Sequence, residues 1–440
     1  MRKIEVFTLI LTINIIFYIS AFSLLPKSIN QKFNSNQNLT VTRFPKQSAI
    51  SLIWNYTTGD DVNSVAISSN GEYIAVGSKD NNTYLFNYSS STSKTPMWQY
   101  TTGDDVNSVA ISSDIFYLIA GSSDNHVYLF NNISDSTPKW NYTMGSNVNS
   151  VAISTDGNYI ISASGDNMIS FLKNSSSTPM WNFTLDDKVN SVAISSDGRN
   201  LVSGSSNDKI SMFFYKNPVG PEWNHTTYDD VNSVAISSDG NYIVAGSNDD
   251  DVYLFEKSYS LPKWSYTTKG NILSVAISSN GNYFVVGSAD NKTYLFDRIN
   301  ENLIRTYQAE DEITSVAISS DGSHILVGSN DNKTYLYDKS QNNPLFSYKT
   351  EGNVTTIAIS ADGKYFAVGS KDNQVYLFYW TPPDTVIIEE DDDLDIDYGE
   401  DAIPFGSYYL IFIIIGIISL ILIKKKKILI EKKNRIHKKS

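Results

Sequence analysis

The five residues Ser-Val-Ala-Ile-Ser start at Ser64, Ser108, Ser150, Ser191, Ser233, Ser274 and Ser315, and return as Thr-Ile-Ala-Ile-Ser from Thr356. Successive starts lie 44, 42, 41, 42, 41, 41 and 41 residues apart. Self-similarity at a fixed period near 40 constrains the fold more than any other feature of the chain. It means that one supersecondary unit is written eight times, and that each unit buries its apolar faces against its neighbours.

One unit reads as four short strands. VNSVAIS (231–237) alternates, NYIVAGS (241–247) is β-branched, DVYLFE (251–256) alternates again, and PKWSYTT (262–268) follows a proline. These are sheet patterns separated by turn residues. Asp-Gly or Asn-Gly stands between the first two strands in seven of the eight units, as at Asn70-Gly71 and Asp239-Gly240. That dipeptide suits a tight turn with positive φ. The second unit carries Asp114-Ile115 instead, so a distorted hairpin is expected there. The turn between the second and third strands is rich in Asp and Asn in every copy.

Radial stacking of four-stranded sheets buries both faces of each and leaves only short edges. Ala66, Ala110, Ala152, Ala193, Ala235, Ala276, Ala317 and Ala358 hold one column, small enough for the innermost strand. Trp54, Trp98, Trp140, Trp181, Trp223 and Trp264 give bulk to the outer strand, with Arg305 and Phe346 in the last two copies. The outer-strand pattern first occurs around Trp54, before the first Ser-Val-Ala-Ile-Ser, and is missing after VYLFYW (375–380). The N-terminal strand is therefore expected to complete the last sheet. The fold class is all-β: an eight-bladed β-propeller over 51–380, closed non-covalently.

The unit V-x-SVAIS-S-DG-x-x-x-V-x-GS-x-D-x-x-V-Y-L-F resembles a WD-repeat β-propeller unit from Leu52 to Trp380. It departs from that pattern in two places. Gly59-Asp60 or Gly103-Asp104 replaces the usual Gly-His, and Phe296-Asp297, Tyr337-Asp338 or Phe86-Asn87 replaces the closing Trp-Asp. The resemblance implies a His–Ser/Thr–Trp–Asp bonding network that this chain lacks the residues to build. The outer strand PKWSYTT is instead similar to quinoprotein-like (PQQ-like) propellers, which implies a tryptophan docked on the neighbouring blade.

The flanks predict an address. Arg2 and Lys3 precede the apolar run Val6–Leu25, an export signal or signal-anchor (1–24). A polar linker (25–50) follows. After the propeller come an acidic stalk (381–404), a 19-residue uncharged run (405–423) and a basic tail (424–440). At 1.5 Å per residue, 19 helical residues span a hydrocarbon core of about 30 Å. Lys424 to Lys427 mark the cytoplasmic side. The expected location is a cell membrane crossed once, with the propeller outside. The chain's formal charge is −13; removing the tail (+8) and the N-terminal end (+1) leaves −22 outside. Such a surface argues against nucleic acid.

No catalytic constellation is visible. The four histidines are scattered, there is no cysteine, and no phosphate loop or nucleophile motif occurs. An oxidoreductase of the PQQ type would need unlike groups on long inserted loops, and none of the units carries more than three residues beyond the 41-residue period. No enzyme activity and no cofactor are expected. The candidate binding residues are carboxylates in the loops joining one unit to the next: Asp60, Asp61, Asp104, Asp105, Asp186, Asp187, Asp229, Asp230 and Asp311. Together they would focus a negative potential on one face. A protein or other basic macromolecule is the expected partner, and Ca²⁺ is the metal that oxygen ligands would suit. The competing reading is that turn aspartates bond only their own backbone. Of twelve Asn-x-Ser/Thr sequons, Asn38, Asn81, Asn87, Asn132, Asn174, Asn291 and Asn332 are candidate glycosylation sites. They leave room for a second reading, a structural or adhesive surface element without a specific ligand.

Overall fold

In a computed structural model of the chain, residues 49–88, 95–131, 135–217 and 219–381 are described. They form 32 strands in eight four-stranded antiparallel sheets. Blade 1 comprises Val62–Ile67, Tyr73–Ser78, Asn82–Asn87 and Trp98–Thr101, from the inner to the outer strand. Blades 2 to 7 repeat this order along the chain. Blade 8 takes Val354–Ile359, Tyr365–Ser370 and Gln374–Thr381 from the C-terminal side, and Ala49–Thr57 as its outer strand. Ala49 pairs with Thr381 and Thr57 with Gln374, so the ring closes through a strand pair that chain connectivity does not supply.

The inner strands all show one burial rhythm, with Val62 and Val65 buried and the Asn63, Ser64, Ala66 and Ile67 positions half-buried. The valines pack into the clusters between blades, and Asn63 and Ser64 bond the inner strand of the next blade. Second and third strands are buried almost throughout, as in Tyr73–Ser78 and Asn82–Asn87. Between each pair of blades lies an apolar cluster. Val202, Met212, Val231, Val234, Ile243, Tyr253 and Phe255 fill the space between blades 4 and 5. Each fully buried side chain of this size contributes about 1.5–3 kcal/mol.

The outer tryptophans dock across this gap, as the sequence predicts. Trp54 of blade 8 lies 4.9 Å from Phe86 of blade 1, and Trp98 lies 5.0 Å from Phe130 of blade 2. The indole N–H of Trp181 donates to the Tyr215 carbonyl, and that of Trp223 to the Lys257 carbonyl, each one blade on. Arg305 keeps the same bond with its guanidinium, donating to the Lys339 carbonyl at 2.8 Å.

The Ser-Val-Ala-Ile-Ser core has a reason for its sameness. Six first serines accept a hydrogen bond from a valine N–H of the following blade: Val109 N–H to Ser64, Val151 to Ser108, Val192 to Ser150, Val234 to Ser191, Val275 to Ser233 and Val316 to Ser274. Thr356 does this for Val65 across the closure. One residue earlier, Asn63, Asn107, Asn149, Asn190 and Asn232 each donate to the first carbonyl of the next inner strand. Inner strands of different sheets thus clasp one another without β-pairing. On the side of the first turns, the N–H groups of Thr155, Ser196, Ser238, Ser279, Ser320 and Ala361 each donate to the next blade's turn carbonyl, the last to Ser69.

Blade 2 corrects one expectation. The Asp114-Ile115 hairpin is not distorted: Ile115 adopts φ 68°, the glycine conformation, and its N–H still donates to the Ser112 carbonyl. Left-handed φ is costly for a β-branched residue. Ile115 is half-buried there and faces the same small space as Trp98, Leu118 and Phe130. Between blades 1 and 2 the turn-to-turn link is made by Ser69 Oγ and Ser113 Oγ at 2.9 Å.

Among the described residues no helix is long and apolar enough to cross a membrane. The export segment (1–24), nearly all of the polar linker, the stalk from 382, the apolar run 405–423 and the basic tail lie outside the described residues.

Candidate partner-binding face

The loops from outer strand to next inner strand and the turns between second and third strands share one face. Thr58 N–H donates to the Asn373 carbonyl in the last such turn of blade 8, and Lys79 N–H to the Asp61 carbonyl. Between the strands these sixteen loops carry 21 Asp and Glu against four Lys. The described residues of the opposite face, in the first turns and the third-to-outer connections, carry 10 Asp and Glu against seven Lys and Arg.

The acidic residues on this face fall into two kinds. The first kind sits in the turns between second and third strands. Asp80 Oδ1 accepts from the Asn82 N–H, and Oδ2 accepts from the Tyr84 hydroxyl and from the N–H of Gly59 in the incoming loop. Asp124, Asp249, Asp290, Asp331 and Asp372 repeat this arrangement with Tyr128, Tyr253, Tyr294, Tyr335 and Tyr376. Burial pushes the Asp124 carboxyl up. Bonds from Tyr128 and from the N–H groups of Gly103 and His126 more than offset this and hold it below the usual range. The same carboxylate, with burial, drives the Tyr128 phenol far above its ordinary value. This Asp–Tyr–backbone knot stands where the family resemblance implies a His–Ser/Thr–Trp–Asp network. The residue after each of these aspartates takes positive φ, from Asn81 (68°) round to Asn373 (63°). Asn and Asp tolerate that conformation best after glycine.

The second kind comprises the nine predicted residues, all placed in the incoming loops. Asp60, Asp104, Asp186, Asp187, Asp229 and Asp311 are exposed, and Asp61, Asp105 and Asp230 are half-buried. The loops are held tightly. The Asp60 carbonyl accepts from Thr58 Oγ1 at 2.6 Å and from Ser78 Oγ at 3.1 Å, and Thr102 and Ser122 hold Asp104 in the same way. One carboxylate oxygen of Asp60 accepts the following N–H, as in Asp104, Asp229 and Asp311, and the other makes no bond to protein. Asp61 pairs with Lys79 at 3.0 Å, and Asp186 with Lys209.

Like charges crowd at the inner ends of these loops. Burial and the neighbouring Asp104 push the Asp105 carboxyl up. Burial and Asp229, with Asp208 and Asp187 adding, do the same to Asp230. Oxygens of Asp208, Asp229 and Asp230 lie within 4.8 Å of one another, a hard-oxygen grouping of the type Ca²⁺ accepts. The ring is uneven: the loops entering blades 3 and 6 read Gly145-Ser146-Asn147 and Lys269-Gly270-Asn271, with no carboxylate.

The candidate sequons are placed as follows. Asn81, Asn291 and Asn332 stand on the acidic face at φ 68°, 67° and 64°, and Thr83, Thr293 and Thr334 of the same sequons are buried in third strands. Attachment at these three would have to precede closure of the blade. Asn87 is half-buried at the end of a third strand, and Asn174 turns toward the outer strand of its blade on the opposite face, where it bonds Asn158. Asn38 and Asn132 lie outside the described residues.

The fold defines the class: a closed propeller of eight four-stranded blades. The WD domain, G-beta repeat family matches residues 51–87, 95–131, 139–171, 178–213, 222–256, 262–297, 301–338 and 342–378. The chain therefore belongs to the WD40 family of repeat proteins, whose propellers are typically non-catalytic interaction scaffolds. No curated protein matches it.

Proposed function

We propose that this propeller is a membrane-anchored scaffold on the outer side of a cell membrane, and that it binds a basic macromolecule through the acidic loop face. One observation carries the reading. The backbone of these incoming loops is fixed by side-chain bonds, yet the exposed Asp60, Asp104, Asp229 and Asp311 each keep one carboxylate oxygen without a bond to protein. Preorganised charge of one sign steers an oppositely charged partner and sets register more than it adds raw affinity. Membrane anchoring is supported by the sequence of 405–423 and the four lysines after it. It is also supported by where the described chain enters and leaves: Ala49 and Thr381 are paired neighbours on the face away from the acidic loops. A tether on that side leaves the acidic face pointing outward.

The test is capture of surface macromolecules from the native host by the full chain, with and without Ca²⁺, compared with a chain carrying Asn at Asp60, Asp61, Asp104, Asp105, Asp229 and Asp230. Retention that weakens with salt and is lost in the substituted chain supports the reading. Equal retention by both chains refutes it, and no retention by either leaves the propeller as a structural surface element. A Ca²⁺ requirement would assign the Asp208, Asp229 and Asp230 grouping to that ion.

A further inference from the structure

We infer that the face opposite the acidic loops is a lipid-contacting surface, with the rim of blades 4 to 6 seated in the interfacial zone of the bilayer. The inference rests on the anchored reading above and adds to it a second, non-covalent attachment. Nine large hydrophobic side chains stand exposed among the described residues, and Tyr228 is the one of them on the acidic face. Four of the others come from the third-to-outer connections of consecutive blades: Val219 (85% exposed) in blade 4, Tyr259 (63%) and Leu261 (74%) in blade 5, and Ile299 (64%) in blade 6. The connections of blades 5 and 6 touch, with Lys263 3.8 Å from Glu301, and that of blade 5 also reaches the outer strand of blade 4, where Ser260 lies 3.1 Å from His225. Isolated exposed apolar residues are ordinary on a protein surface; an adjacent set on one rim marks a contact.

Three observations select a lipid surface as the occupant. Charge on this face is nearly balanced, whereas the other face would be repelled by phosphate headgroups. Tyrosine and leucine exposed in one connection, with the exposed Lys216 in the connection of the preceding blade, suit the boundary between headgroups and acyl chains. The chain enters at Ala49 and leaves at Thr381 on this same face, in blade 8, across the ring from blades 4 to 6. Residues 382–404 separate Thr381 from the apolar run. Twenty-three residues reach at most about 75–80 Å, so the tether is long enough for the face to meet the bilayer.

The absence of cysteine in the chain makes single-site labelling clean. The full chain is reconstituted into phosphatidylcholine vesicles containing a nitroxide-labelled lipid, and insertion is checked by flotation. An environment-sensitive dye is placed on Leu261→Cys or on Tyr228→Cys. The expected result is blue-shifted emission and nitroxide quenching at 261 at least about twofold stronger than at 228. Adding Val219→Asp and Ile299→Asp should bring 261 down to the level of 228. A chain that floats with equal quenching at both positions overturns this inference and leaves the anchor standing. A shift at 261 that follows protein concentration and not nitroxide lipid overturns it in favour of a second copy. A chain that does not float overturns the anchored reading and this inference together.

Discussion

Two sets of aspartates share one face of this propeller and are held differently. Asp124 is surrounded: Tyr128, Gly103 N–H, His126 N–H and Ser122 all act on its carboxylate. Asp104, one loop away, accepts one N–H and leaves an oxygen in water. Residue type and exposure of the loop do not separate them; counting bonds does. Where each carboxylate lone pair is used within the fold, the residue is part of the frame. Where the backbone is fixed and the charge is left over, the residue is available to a partner.

The largest expected effect comes from breaking the frame. Asp124→Ala strands the Tyr128 hydroxyl and two N–H groups, and should cost about 2–4 kcal/mol of stability in urea unfolding. Tyr128→Phe removes one of those bonds and should cost about 1 kcal/mol. Ser170→Ala should act in the opposite direction by about 1 kcal/mol, because the Ser170 hydroxyl is fully buried and has no hydrogen-bond partner. Asp104→Asn with Asp105→Asn should move stability by less than about 0.5 kcal/mol while weakening capture of a basic partner. A loss of stability there comparable to that of Asp124→Ala would erase the distinction between the two sets.

Acid should separate them in order. Asp105 and Asp230 are raised, so their charged forms are disfavoured in the fold, and falling pH protonates them first and relieves that repulsion. Asp124 is lowered, so its stabilising contribution is present above its unfolded value and is lost only as pH falls through its folded value. Partner binding should therefore fade at a higher pH than the propeller melts. Circular dichroism and binding followed on one pH series would check this.

Much of the fold was legible in the sequence. The period gave the blade, the displaced outer strand around Trp54 gave the closure, and the tryptophan column gave the docking between blades. Less visible was why the inner strand hardly varies. The bonds from Asn63 and to Ser64 cross between sheets, and no spacing within one unit announces them. The structural role of the Asp80 series was present in the sequence but went unread. Six units place Tyr four residues after that Asp, and blade 4 loses both partners at once, with Asn207 and Ser211. Blade 3 keeps Asp166 without a tyrosine, and its carboxylate turns to Ser164 instead. At Ile115 the turn's need for positive φ is not a need for glycine, since a β-branched residue takes φ 68° and keeps the turn bond to Ser112.

The most direct test of the central claim is the salt dependence of binding of a synthetic Lys/Arg-rich peptide to the full chain and to the chain with Asn at Asp60, Asp61, Asp104, Asp105, Asp229 and Asp230. The account predicts that affinity for the unsubstituted chain falls steeply as salt rises, and that the substituted chain binds at least about tenfold more weakly with a flattened slope. Equal affinity and equal slope in the two chains would contradict it.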